Sequence, residues 1–334
     1  MKLLILTKKF GNYTGATIST IEILRRIKTD FESIDVLTLE TDGTRINGIN
    51  IKVMNGYNQL LKKLKFYSKN GDVIGYSDDH LGFLFHYYGI KYLHTYHGNW
   101  PDARTLSVDM FLKSFYFIPL YKSTIKHAQI VVSVSNYMRD RFVNRYNSNA
   151  HVIYNGIKTG NLQLDSNSEQ FNNRFLMVGN IDRRKYGKAL KIFKLLDKKN
   201  FKGSIDIYGK SINRNIVEIL NKFEFVNLKG QVSTINYRKY SALLCSSISE
   251  NLPVSIVEAL LGKIPVISFN VGGISEVIIN NKNGFLIEPF DAEKFVNQIL
   301  YLKLKKRDLN FNYKEIFDWD NSAKLYESFF EKLE

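Results

Sequence analysis

The sequence predicts an α/β protein built from two Rossmann-like, parallel-sheet halves that face each other across a central cleft. Three observations predict it. Short β-branched and apolar runs alternate with amphipathic segments along the chain, one polar stretch without periodicity interrupts the alternation, and the alternation then restarts. At 334 residues there is room for two ordinary domains, and 44% hydrophobic with 24% charged residues is the composition of a folded protein.

In the first half, residues 1–160, Leu3-Leu4-Ile5-Leu6 forms the centre of a buried strand near 2–6. Lys8-Lys9 follow at once, so this apolar run is too short for a signal peptide. Further strands are expected near 34–38, 51–54, 73–76, 91–95, 130–134 and 151–153, with helices near 15–28, 58–69, 80–88, 108–126 and 136–145. Residues 161–173, Asn161 to Asn173, read as the linker. The second half, 174–315, offers strands at 174–178, 203–207, 225–229, 243–246, 264–268 and 284–287. Helices are expected between and after them at 187–197, 212–221, 234–240, 253–261, 273–279 and 291–303. A last helix near 320–333 lies in a segment, 316–334, expected to pack back on the first domain. No sequence repeat and no low-complexity tract stands out.

No run approaches the ~20 apolar residues that span a bilayer. The single cysteine, Cys245, excludes an internal disulfide and a thiolate metal cluster, and beside Leu243 and Leu244 it reads as a buried, inert thiol. These features point to the cytoplasm. Lys plus Arg number 47 against 32 Asp plus Glu, an excess of 15 that calls for an anionic partner. The first 160 residues hold 21 basic against 12 acidic side chains.

The most specific signal lies in Ser249-Glu250-Asn251-Leu252-Pro253-Val254-Ser255-Ile256-Val257-Glu258-Ala259-Leu260. Glu250 falls at a strand-to-helix junction, Pro253 suits the first helical turn, and Glu258 follows one to two turns on. Carboxylates grip hydroxyls, and helix N-termini and backbone amides suit phosphates. Downstream come Gly262-Lys263-Ile264-Pro265-Val266-Ile267, Val271-Gly272-Gly273, Glu276-Val277 and Asn283-Gly284-Phe285-Leu286. In that order these elements resemble the donor-site core of family 4 retaining glycosyltransferases, whose fold is of the GT-B type.

The resemblance implies that Glu250 contacts the donor sugar, with the amides of Asn251, Leu252, Pro253 and Val254 around it, and that Glu258 holds the ribose hydroxyls. Val178-Gly179-Asn180-Ile181-Asp182-Arg183-Arg184-Lys185-Tyr186-Gly187 occupies the family's diphosphate-clamp position. There Lys185 has the expected spacing, while Asn180 stands where an arginine is usual and Arg183 or Arg184 is left to replace it. Tyr208-Gly209-Lys210 resembles a turn near the nucleotide, and Gly230-Gln231-Val232 the loop that touches the base.

In the first half, Gly11-Asn12-Tyr13-Thr14-Gly15-Ala16-Thr17 joins strand to helix. The resemblance aims Gly15 and Ala16, in place of a glycine pair, at the donor phosphate. His94-Thr95-Tyr96-His97-Gly98 resembles the family's His-Gly element, which would put His97 near the transferred sugar as a hydrogen-bonding group, with His94 in the core or at its rim. Ser133-Val134-Ser135-Asn136 and Asn155-Gly156-Ile157 match architectural landmarks. Asp78-Asp79, after a buried strand, read as loop residues at the domain interface and not as a metal motif. Residues 108–127 and 58–69 combine aromatic and aliphatic residues with lysines, which suits an anionic membrane surface.

Retaining, metal-independent transfer is thus the implied activity, with His97, Glu250 and Lys185 at its centre and no cofactor beyond a nucleotide diphosphate sugar as co-substrate. A UDP-sugar is the favoured donor. The expected acceptor is a hydroxyl of a glycan, glycolipid or lipid-linked acceptor in cell-surface glycan synthesis, reached at the inner face of the cytoplasmic membrane. A non-catalytic sugar-nucleotide-binding partner of another transferase is the alternative that Asn180 favours. A nucleic-acid-binding module has no signature beyond scattered charge, and nucleic acid is not an expected partner.

Overall fold

The computed structural model describes residues 1–27, 31–157, 173–302 and 313–333. The chain divides into two compact units, Met1–Gly156 with Ile316–Glu334, and Ile157–Glu315.

In the first unit the order is β1 (Lys2–Phe10), α1 (Gly15–Leu24), β2 (Ser33–Thr41), β3 (Ile49–Val53), α2 (Tyr57–Asn70), β4 (Val73–Ser77), α3 (Phe83–Tyr87), β5 (Tyr92–Tyr96), α4 (Val108–His127), β6 (Ile130–Ser133), α5 (Asn136–Arg141) and β7 (Ala150–Val152). The strands form one parallel sheet in the order β3-β2-β1-β4-β5-β6-β7. β1 is apolar on both faces because both are covered. Leu4 and Leu6 join one core cluster, Leu3 and Ile5 the other, as the two-residue period of a strand dictates.

The second unit runs β8 (Arg174–Val178), α6 (Arg183–Tyr186), α7 (Ala189–Lys198), β9 (Ser204–Tyr208), α8 (Arg214–Leu220), β10 (Val226–Gly230), β11 (Ala242–Cys245), α9 (Val254–Leu261), β12 (Val266–Phe269), β13 (Gly284–Ile287) and α10 (Ala292–Leu300). Its parallel sheet has the order β10-β9-β8-β11-β12-β13. After α11 (Tyr313–Ile316), α12 (Trp319–Glu331) lies in the first unit, where Trp319, Tyr326, Phe329 and Phe330 complete the cluster around Leu3, Ile5 and Tyr76. Gly156 leaves room for it, since a Cβ there would stand 2.4 Å from the Trp319 ring.

The expected strands all form, with boundaries shifted by a few residues. Several expected helices are shorter. Segment 80–88 starts as a 3₁₀ turn, His80–Gly82, before α3, and 136–145 breaks after Arg141 into a second turn, Val143–Arg145. Only 3₁₀ turns form within 234–240 (Tyr237–Lys239) and 273–279 (Gly272–Glu276). Residues 161–172 of the expected linker, and the ends of helices 15–28 and 291–303 at positions 28 and 303, lie outside the described residues.

The two units share a short motif that the sequence reading missed. Ser33-Ile34-Asp35-Val36 on β2 and Ser204-Ile205-Asp206-Ile207 on β9 occupy equivalent strands. Asp35 faces Asn50 of β3 in register, as Asp206 faces Asn227 of β10, and each asparagine donates to its aspartate at 3.0 Å. Tyr67 and Lys52 complete the first cluster, and Tyr240 and Arg174 the second. Each is a buried carboxylate made tolerable by a cation and two neutral donors.

Candidate functional site

In the second unit the site grows from the end of β11. Its four residues are buried, and the chain then loops through Ser246–Pro253 before α9 starts at Val254. Pro253 has φ −76° and ψ 119°, so it precedes the helix as its capping residue and does not sit inside the first turn. Glu250 is only 7% exposed. Its Oε2 lies 2.8 Å from Arg184 Nη1, its Oε1 lies 3.3 Å from Lys185 Nζ, and Oε1 also accepts from Ser247 Oγ at 2.8 Å. Burial alone would raise the Glu250 pKa, but the charges of Lys185 and Arg184 and the Ser247 hydrogen bond prevail and push it down to about 2.

Short-range geometry in α6 sets up this convergence. Asp182 caps the helix by accepting from the Lys185 amide at 2.8 Å. Arg184 Nη1 donates to the Ser249 carbonyl at 2.9 Å, Ile248 N donates to the Arg184 carbonyl at 2.9 Å, and Ser246 Oγ donates to the Lys185 carbonyl at 2.8 Å. The helix and the Glu250 loop are thereby stitched together. Gly179, with φ +136°, leaves space for the Lys185 stem, whose Cδ would stand 2.5 Å from a Cβ at that position.

Gly272 braces the other side. It has φ +62°, and a Cβ there would stand 1.7 Å from the backbone carbonyl oxygen of Glu250, while Gly273 N donates to the Asn251 carbonyl at 2.7 Å. The Gly-Gly element downstream of the glutamates is therefore a seat for their loop. Glu258 on α9 accepts from the Tyr237 hydroxyl at 2.7 Å, and burial raises its pKa against the opposing effect of that bond. Tyr237 was not singled out from sequence. Its packing was encoded in Gly262, where a Cβ would stand 2.6 Å from Tyr237 Cβ.

Of the other expected donor-site residues, Asn251 and Leu252 are half-buried, whereas Val254, Val232 and Arg183 are exposed, as is Asn180. Arg184 and Lys185, and not Arg183, meet Glu250.

In the first unit, Gly15 and Ala16 open α1, which Thr14 and Thr17 cap reciprocally. Asp42 has taken the preceding amide: Asn12 N donates to its Oδ2 at 2.8 Å, and Gly11 has no room for a Cβ beside that carboxylate. His97 follows β5 with its Nε2 buried and without a hydrogen-bond partner among the described residues, and burial pushes its pKa down to about 4. His94 is a core residue, with Nδ1 2.9 Å from Ser77 Oγ, and burial pushes it down to about 3.

Asp78 and Asp79 lie in the loop that follows β4, Asp78 buried and Asp79 partly buried, and both tie neighbouring segments together. Thr20 Oγ1 donates to Asp78 at 2.6 Å, and the amides of Lys8 and Leu81 donate to Asp79 at 2.6 and 2.8 Å. Burial raises both carboxyl pKa values.

The two basic-apolar segments differ. α2 turns Leu60, Leu64 and Tyr67 into the core and leaves Phe66 exposed, whereas α4 exposes Val108, Phe111, Leu112, Phe115 and Tyr116. No helix among the described residues is long and apolar enough to cross a membrane.

The two parallel-sheet units and their likeness to solved glycosyltransferase structures place the chain in the GT-B fold class. Residues 162–315 match the family of glycosyl transferases group 1, and residues 28–161 match glycosyltransferase family 4. Together the two matches span residues 28–315, and the chain belongs to the family 4 GT-B glycosyltransferases. It is 26% identical over 253 residues to an uncharacterized glycosyltransferase of Methanocaldococcus jannaschii, covering 73% of this chain and 69% of that one. It is 27% identical over 195 residues to the lipopolysaccharide 1,6-galactosyltransferase of Escherichia coli, covering 51% of this chain and only 53% of that protein. Among solved structures, Anabaena Alr3699/HepE in complex with UDP and glucose superposes with a TM-score of 0.73 at 17% identity over 99% of both chains, a likeness of fold.

Proposed function

We propose that the chain is a retaining glycosyltransferase that moves a hexosyl or N-acetylhexosaminyl group from a nucleotide diphosphate sugar, with UDP favoured, to a hydroxyl of a glycan, glycolipid or lipid-linked acceptor. The observation that carries this reading is the convergence of Arg184 and Lys185 on Glu250, held in place by Gly272. Two adjacent cations beside a helix-leading loop suit a diphosphate that gains charge as it leaves. Glu250 then accepts from sugar hydroxyls, and Glu258, positioned by Tyr237, accepts from the ribose.

The reaction so proposed needs no metal. The acceptor hydroxyl attacks on the face from which the diphosphate departs, and a diphosphate oxygen takes its proton. His97, kept neutral by burial, serves as a hydrogen-bonding group to the transferred sugar and not as a nucleophile. A role in cell-surface glycan synthesis is supported by the relative named for lipopolysaccharide galactosyl transfer. Work at the inner face of the cytoplasmic membrane is supported by the exposed apolar face of α4. The test is release of nucleoside diphosphate from sugar nucleotides in the presence of acceptor. Glu250→Ala abolishes release if the reading is right, and undiminished release by that variant refutes it.

A further inference from the structure

We propose that Glu250 is the resident counter-ion of the diphosphate clamp, so that a donor enters by ion exchange and the site prefers the intact sugar nucleotide to the bare nucleoside diphosphate. The inference rests on the function proposed above and adds a specificity-determining role to it. One buried carboxylate neutralises both clamp cations, at 2.8 Å from Arg184 and 3.3 Å from Lys185, and among the described residues its remaining partner is Ser247 Oγ at 2.8 Å. A diphosphate that draws the cations to its own oxygens leaves Glu250 ionised, buried and held by one hydroxyl, beside a second anion. That state is costly, because a buried charge stripped of its partners keeps its full desolvation penalty.

The loop cannot swing away to recover solvation. The Glu250 carbonyl is seated against Gly272, and Asn251 is tied to the Gly273 amide. An intact donor relieves the penalty, since its sugar hydroxyls donate to the carboxylate just vacated. The product, having lost its sugar, cannot. The same exchange that admits the donor therefore favours release of the nucleoside diphosphate after transfer.

Calorimetric titration of the full chain with pyrophosphate and with UDP tests this. Glu250→Gln keeps the shape and removes the charge, and it is expected to bind pyrophosphate about tenfold more tightly than the wild type, a step of about 1.4 kcal/mol. The gain should vanish in a Lys185→Met, Arg184→Met background, where no cations remain to be released. Ser247→Ala, a milder change, makes Glu250 depend more on its cations and should weaken pyrophosphate binding about threefold. Equal or weaker binding by Glu250→Gln while the wild type binds, a gain that survives loss of both cations, or unchanged binding by Ser247→Ala each overturns the exchange alone. If neither wild type nor variants bind pyrophosphate or UDP, the cation pair is not a diphosphate site, and the proposed function falls with the exchange.

Discussion

Replacing Gly272 by alanine is the sharpest available perturbation of the site, because it adds one methyl group and touches none of the charged residues. The added Cβ would stand 1.7 Å from the Glu250 carbonyl oxygen, whereas real Cβ contacts essentially never fall below 3.0 Å, so the two segments must separate by at least the difference, 1.3 Å. The obstacle is backbone, so no rotamer change relieves it. Alanine also has to hold φ near +62°, which costs about 1–2 kcal/mol in the left-handed region. The backbone cost alone should lower the melting temperature by about 2–8 °C, and the clash adds to it.

The functional loss should be larger than the stability loss. Glu250 meets Arg184 at 2.8 Å and Lys185 at 3.3 Å, and a shift of more than 1 Å is the difference between a made and an unmade contact. A misplacement of that size lowers turnover on the order of 100-fold. Differential scanning fluorimetry and donor turnover on the same preparation give both values. Gly15→Ala is the matched control for stability, since nothing lies within 4 Å of a Cβ there and the position opens α1. It should be neutral or stabilising by about 0.4–1 kcal/mol. If Gly272→Ala keeps wild-type turnover within about threefold, the Glu250 loop is not seated on Gly272 and the account of the Gly-Gly element is wrong.

Three further outcomes are expected. Arg184→Met should weaken UDP binding at least tenfold while Arg183→Met changes it less than threefold, because only the former side chain reaches Glu250; equal effects by titration would refute the assignment. Asp78 is buried with a raised pKa, so between its ordinary value near 3.9 and the raised one the folded chain binds a proton that the unfolded chain has lost, and stability declines as pH rises through that window. Asp78→Asn lacks that decline, so its melting temperature relative to wild type should rise from pH 5 to pH 8; a difference that does not grow contradicts the linkage. In liposome flotation with anionic lipid, Phe115→Glu should lower the bound fraction about tenfold, since a two-thirds exposed aromatic ring on α4 is replaced by a charge, and failure of the wild type to bind at low and high salt alike ends the membrane proposal.

What the sequence disclosed follows from which interactions are local. Strands buried on both faces announce themselves as unbroken apolar runs, and Leu3-Leu4-Ile5-Leu6 or Ala242-Leu243-Leu244-Cys245 could hardly be otherwise. Helices were overread where apolar spacing mimics a helical period without a helix. Ile274, Val277 and Ile278 are spaced as a helix face, but Gly272 in the left-handed region and the pull of Asn251 on the Gly273 amide hold the segment in a 3₁₀ turn. The Asp35 and Asp206 clusters stayed hidden because each draws its cation and tyrosine from elements distant in sequence. Only Ser-Ile-Asp itself is repeated, and three residues carry no statistical weight until the strands are seen to be equivalent.

Asn180 is the instructive departure from the family's pattern. Read in sequence, the missing arginine removes a charge from the clamp and favours a chain that binds sugar nucleotides without transferring them. In three dimensions Asn180 is exposed, while Arg184, fixed by the Asp182 cap and by its own bond to the Ser249 carbonyl, brings a guanidinium to Glu250. Arg183, one position earlier on the same helix, is exposed, and it is Arg184 and Lys185 that meet the carboxylate. On the proposed reading the clamp thus keeps two cations, Lys185 at its expected position and Arg184 in place of the arginine missing at Asn180. A helix-borne arginine stitched to the carboxylate loop at 2.9 Å is also less free to follow a departing phosphate than one on a flexible turn. On the proposed exchange, Lys185, with the longer contact and the space left by Gly179, therefore shifts from Glu250 to the diphosphate more readily than Arg184 does.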